Sequence, residues 1–211
     1  MKVLEVKHLK KSFGEKIILN DINFSINAGE CLGVVGRSGC GKSTMARIIA
    51  RLIPADDGEI FLNGVDITHT KNLKSVYKNL QMIFQLPEDS FDPRRTLGWS
   101  IAEPLKNYNF ENVDAQIKNL LAEVGLTADF AERYPHEVSG GQCQRAAIAR
   151  AISISPKLLI CDEATSALDA ATQMQIVKLL RRLCTEKNLA ILFITHDLEI
   201  LKDIADNVLK L

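Results

Sequence analysis

The start of the chain alternates between apolar and polar positions. "KVLEVKHLKKSF" (2–13) and "KIILNDINFSINA" (16–28) flank the turn-prone "GEK", a pattern that predicts two antiparallel strands. "ECLGVVG" (30–36) is a short apolar strand running into a glycine-rich loop. "KSTMARIIARL" (42–52) then carries helical apolar spacing and predicts a helix that ends before Pro54. "GEIFLNG" (58–64) and "NLQMIF" (79–84) predict two further strands. Between 86 and 155 the pattern changes: "LPEDSFDPRRT" is loop-like, and only helical periodicity follows it. From 157 strands and helices alternate again. "KLLIC" and "LAILFIT" are apolar runs of buried-strand length, separated by the amphipathic "AATQMQIVKLLRRLCTEK" and followed by the short helical "DLEILKDIA".

Strands alternating with helices imply a mainly parallel sheet covered on both faces, so the expected class is α/β. The expected layout is one domain over 1–211. Its core and N-terminal antiparallel β subdomain take about 1–85 and 156–211, and an inserted α-helical subdomain takes about 86–155. A chain of 211 residues can bury one substantial core. No internal repeat or low-complexity linker interrupts it.

Composition narrows the classes. Hydrophobic residues make up 46% and charged residues 25%, ordinary for a soluble globular protein. The 26 Lys and Arg balance 26 Asp and Glu, which argues against a general nucleic-acid binder or a polybasic membrane anchor. The N-terminus lacks the apolar centre of a signal peptide, and no apolar run approaches the roughly 20 residues of a membrane span. Any membrane process served by this protein therefore needs another chain for its membrane part. Cys31, Cys40, Cys143, Cys161 and Cys184 are scattered and form no C-x-x-C pair, which fits reduced thiols better than disulfides or zinc.

The candidate chemistry begins at "GRSGCGKST" (36–44), which matches G-x-x-x-x-G-K-[ST] between an expected strand and an expected helix. The loop of Gly36, Arg37, Ser38, Gly39, Cys40 and Gly41, running into Lys42, Ser43 and Thr44, can wrap phosphates with its backbone N–H groups. Lys42 would reach the β- and γ-phosphates, and Ser43 would ligate Mg²⁺. "LLICDEATSALD" (158–169) delivers Asp162 and Glu163 at the end of an apolar strand, where open α/β sheets bind ligands. Asp162 suits the magnesium side, and Glu163 could polarise an attacking water; two acids there can also simply cap the next helix. His196 in "FITHD" follows the next buried strand and suits the γ-phosphate. Gln85, closing "LQMIFQ", suits magnesium or the attacking water. A second anion site stands at "VSGGQCQR" (138–145). There Ser139 is a good N-cap, and a helix start with the bare Gly140 and Gly141 carries free N–H groups.

Taken in order, these residues resemble the nucleotide-binding subunits of ABC transporters across nearly the whole chain. "GRSGCGKST" resembles Walker A, Gln85 the Q-loop, "VSGGQ" the signature, "LLICDE" Walker B, "SALD" the D-loop and His196 the switch histidine. Phe13 sits where that family places an aromatic that stacks on adenine, more often Tyr. The resemblance implies a P-loop NTPase core that binds ATP with Mg²⁺ and hydrolyses it. It implies two subunits, identical or homologous, meeting head to tail, so that Ser139, Gly140, Gly141 and Gln142 of one cover the nucleotide held by the other.

Finer resemblance points to the peptide and nickel importer branch, through "QMIFQ", "DSFDPRRTLGWSIAEPL" and "HEVSGGQCQRAAIARA". Leu86 and Pro87 replace the usual Asp-Pro pair, Asp92 replaces Asn before Pro93, and the branch's C-terminal tail with its cysteine cluster does not follow "DNVLKL". The implied role is a peripheral subunit on the cytoplasmic face of the cell membrane. It would power import of a peptide or a nickel or metal chelate through separate permease subunits, and would serve an extracytoplasmic solute-binding protein indirectly. Nucleic acid is not an expected partner. The alternative reading, a soluble ABC ATPase of DNA repair or translation, lacks the tandem domains, coiled-coil insertion or basic arms such proteins carry.

Overall fold

The computed structural model describes residues Met1–Leu211. Two 12-residue strands, β1 (Lys2–Phe13) and β2 (Lys16–Asn27), form an antiparallel hairpin, with Gly14 in the left-handed region at its tip. β4 (Asp57–Leu62) pairs antiparallel on the other side of β1, and β5 (Val65–Asp66) completes a four-stranded sheet in the order β2-β1-β4-β5.

A second sheet forms from β3 (Cys31–Val35), β6 (Leu80–Ile83), β7 (Leu158–Asp162), β8 (Ala190–Ile194) and β9 (Asn207–Lys210). Its order is β6-β7-β8-β3-β9 and every pairing is parallel. β7 and β8 are buried at all five positions, which explains their unbroken apolar runs. Strand geometry still sorts their residues by parity. Leu159, Cys161, Ile191 and Phe193 join a core of 35 residues, together with α6 (Ala170–Glu186) and the helices α3 (Leu97–Asn107), α4 (Val113–Glu123) and α5 (Gly140–Ile152). Leu158, Ile160, Leu192 and Ile194 face the other way, into a 23-residue core shared with α1 (Lys42–Ile49) and the antiparallel sheet. Truncating a fully buried Leu or Ile on either face costs on the order of 2–5 kcal/mol.

The α/β class, the parallel core sheet, the antiparallel N-terminal sheet and the helix-only stretch between β6 and β7 agree with the sequence pattern. Three elements differ. The first helix ends at Ile49 rather than Leu52, because Arg51 turns left-handed (φ 59°) just beyond it. The short α2 (Leu73–Asn79) has no apolar stripe to announce it; only Val76 is buried, and Asn72 caps its start. β9 is mostly exposed and owes its place to long-range contacts. Asp206, just before it, accepts the Cys31 N–H at 2.8 Å and takes two bonds from Arg181, at 2.7 and 2.8 Å.

Candidate functional site

Because β6, β7, β8 and β3 are neighbours and parallel, the segments leaving their C-terminal ends share one edge of the sheet. Gln85 follows β6, Asp162 and Glu163 close β7, His196 follows β8, and the glycine-rich loop follows β3. Backbone bonds tie these exits together: the Glu163 N–H donates to Ile194 O and the Thr195 N–H to Val34 O, each at 3.1 Å. Ligands of open α/β sheets bind at such an edge.

The glycine loop is packed at both ends and open in the middle. A Cβ on Gly36 would meet Cys40 Sγ at 2.6 Å, and one on Gly41 (φ 105°) would meet Ile18 Cγ2 at 2.7 Å. Gly39 (φ 75°) would meet nothing within 4 Å, and Arg37 and Ser38 beside it are exposed. Lys42 opens α1 and is only 5% exposed; its Nζ lies across the loop, donating to Gly36 O at 2.9 Å and Arg37 O at 3.2 Å. Thr44, two positions on in the helix, is half-buried.

The Ser43 hydroxyl donates to Asp162 Oδ1 at 2.9 Å, across 119 positions of sequence. Burial holds the Asp162 carboxyl above the usual carboxylate range; the Ser43 hydroxyl opposes that rise, Glu163 adds to it, and Arg47 and Lys42 oppose it. A hydroxyl beside a buried carboxylate fits a hard divalent cation. Ser43, Asp162 and Gln85 line one cleft of about 430 Å³, shared with Arg47, Asp89 and Arg150. Sequence reasoning missed the two arginines. Arg47 stands one helical turn after Ser43, a spacing that could have found it. Arg150 could not be found that way, since it arrives from α5, donates to Ser90 O at 2.5 Å and stacks over the Phe91 ring at 4.6 Å.

Glu163 is a non-glycine residue in the left-handed region (φ 50°), a conformation that stores roughly 1–3 kcal/mol. Its carbonyl accepts the Ser166 N–H at 3.1 Å and the Ser166 hydroxyl at 3.0 Å, which hold the bend. The bend stands directly after β7, and Glu163 is half-buried there while every residue of the strand is buried. Gln85 and His196 are exposed at the same edge. Phe13 is 55% exposed at the hairpin tip, and the adjoining Ile18 and Leu19 of β2 pack directly on Gly41.

The turn at Ser139 stands apart, and none of Ser139, Gly140, Gly141 or Gln142 lines the cleft. Ser139 Oγ accepts the Gln142 N–H at 3.3 Å, and Gln142 Oε1 accepts the Ser139 N–H at 2.9 Å, a complete capping box on α5. The hydroxyl proton and the N–H groups of Gly140 and Gly141 stay free to meet an anion. The two glycines are bare for different reasons. A Cβ on Gly140 would make ordinary 3.5 Å contact with Leu168, whereas one on Gly141 would collide with Thr172 of α6. A side chain at 141 would force the Thr172 methyl aside, so packing within the chain favours Gly141 in addition to any demand for phosphate access.

A family model described as "ABC transporter" matches residues 19–166, and the chain belongs to that family as an ATP-binding member and an ATPase. It is 46% identical to the oligopeptide transport ATP-binding protein OppF of Haemophilus influenzae, over 98% of this chain and 68% of the relative. It is 44% identical, over the same shares, to the oligopeptide transport ATP-binding protein AppF of Bacillus subtilis. A solved ATP-binding cassette, a dimer in a post-hydrolysis state bound to ADP and Pi, aligns with a TM-score of 0.86 at 28% identity, over 99% of this chain and 94% of that one.

Proposed function

We propose that this chain, acting over 1–211 as one ATPase domain, powers import of oligopeptides through separate membrane permease subunits. It would work peripherally on the cytoplasmic face, with a solute-binding protein served indirectly and no nucleic-acid partner. The peptide assignment follows its relatives, which are named oligopeptide transport proteins. A nickel or metal chelate, the other cargo the branch suggests, gains nothing from them. No helix is long and apolar enough to cross a membrane, consistent with separate permeases.

The observation that carries the mechanism is the separation of two anion-holding devices. Lys42, Ser43, Gln85, Asp162, Glu163 and His196 share one sheet edge, while Ser139 lies outside that cleft with its donors free. A second ATPase subunit, identical or homologous, meeting this one head to tail would bring its own Ser139, Gly140, Gly141 and Gln142 to the nucleotide. Within the chain, the loop from Gly36 to Thr44 would bind the phosphates, and Phe13 would take the adenine. Lys42 would exchange the Gly36 and Arg37 carbonyls for β- and γ-phosphate oxygens. Ser43, Gln85 and Asp162 would hold magnesium, which would supply charge neutralisation when bound. Glu163 would orient the attacking water and take its proton, and His196 would hold the γ-phosphate.

Glu163→Gln tests this. The variant is expected to bind ATP, to lose about 10²-fold or more in turnover, and to accumulate as an ATP-dependent dimer in size-exclusion chromatography. Unchanged turnover would remove Glu163 from the reaction.

A further inference from the structure

Apart from Lys42, one lysine is buried: Lys11, only 8% exposed, two positions before Phe13. Buried lysines are rare without a partner, and Lys11 has one, with its Nζ 2.6 Å from Asp56 Oδ1. The other oxygen of Asp56 accepts the Ser12 N–H at 2.7 Å. One carboxylate thus grips two consecutive residues of β1 immediately before the hairpin tip. Residues i and i+2 of a strand share a face, and the Lys11 ammonium stands 5.3 Å from the centroid of the Phe13 ring. That is cation–π distance, so the ring is held out half-exposed with a cation over one face and the other face left open to stacking. The register pairs Lys11 with Leu19, and Leu19 and Ile18 lie on Gly41 of the phosphate loop. The clamp, the ring and the loop therefore form one continuous unit.

We propose that Lys11, held by Asp56, is a positioning residue for base recognition: it fixes the Phe13 ring as a platform on which the purine stacks. The inference rests on the reading of Phe13 as the adenine contact. An unclamped Phe at a hairpin tip would sample several rotamers and would have to lose that freedom on each binding event. With Lys11 and Asp56 in place that ordering is complete before nucleotide arrives. The clamp touches the ring and reaches the phosphate loop only through Leu19, with no hydrogen bond to it, so it acts on affinity and base preference rather than on the chemical step.

The test is steady-state hydrolysis of MgATP and MgCTP by the full chain. Lys11→Met keeps the buried stem and removes the charge. It is expected to raise KM for ATP about 3–10-fold, leave kcat within about twofold, and narrow the preference for ATP over CTP, as loss of one cation–π contact predicts. Lys11→Arg should retain most of the wild-type KM. Asp56→Asn, which keeps an acceptor for the Ser12 N–H, should shift KM the same way and gives the same reading should the methionine variant fold poorly. An unchanged KM in both variants, or a fall in kcat with the ATP-to-CTP ratio preserved, overturns the proposal. Phe13→Ala separates the layers. A raised KM there with a silent Lys11→Met sinks the role of Lys11 alone, while an unchanged KM in Phe13→Ala sinks the adenine platform itself.

Discussion

The glycine loop before α1 and the turn before α5 use the same materials, glycines and a hydroxyl at a helix start, yet the fold treats them differently. The first is turned inward. Lys42 is nearly buried, its ammonium rests on two carbonyls of its own loop, and Ser43 is bonded to a carboxylate from a distant strand. The second is turned outward: Ser139 is exposed, its cap is satisfied by its own helix, and its remaining donors point to nothing in the chain. The first device is assembled within this polypeptide; in the proposed function the second would serve the nucleotide of a partner subunit, and bringing the two together would couple nucleotide binding to closure.

The sharpest way to break this contrast is to mix defects. Lys42→Ala and Ser139→Arg should each reduce turnover by roughly a hundredfold or more when every subunit carries the change. Mixing the two variants should restore a substantial fraction of wild-type turnover, because one of two shared sites would then be intact. No recovery in the mixture would mean that both devices act within one chain. A second contrast lies inside the outward turn. Gly141→Ala should lower stability by about 1–3 kcal/mol through its collision with Thr172. Thr172→Ala should recover most of that in denaturant unfolding, while Gly140→Ala alone costs far less; equal losses at the two glycines would contradict the packing account. The smallest expected effect concerns Gln144 of α5, 1% exposed, with neither amide atom hydrogen-bonded. Gln144→Met should raise stability by about 1 kcal/mol or more in the same assay, because no bond is lost and two desolvated atoms are removed. A destabilised variant would mean that the amide has a partner in solution.

Much of this was legible in the sequence. β7 and β8 announced themselves as unbroken apolar runs because both faces of the sheet are buried, and α6 between them did so through one apolar stripe at helical spacing. The glycine loop was legible because its backbone demands glycine and a lysine at set spacing. Less visible were α2 and β9, one nearly without buried residues and the other held by Arg181 and Asp206 from elsewhere in the chain. Arg150 and Lys11 were missed as well. Each is defined by a partner some 45 to 60 residues away, Asp56 for Lys11 and Ser90 for Arg150. Local periodicity carries no record of such pairings.

By itself the sequence determined the periodic strands and helices, α2 and β9 apart, and which turns bear glycine and hydroxyl groups, since these follow from periodicity and backbone sterics over a few residues. The tertiary structure alone decided the strand order β6-β7-β8-β3-β9, and with it which side chains meet at one edge and which stay outside. Strand order is set by the free energy of burying both faces of a sheet at once, a quantity shared by residues more than a hundred positions apart. Ser43 and Asp162 meet for that reason, and Ser139 does not join them.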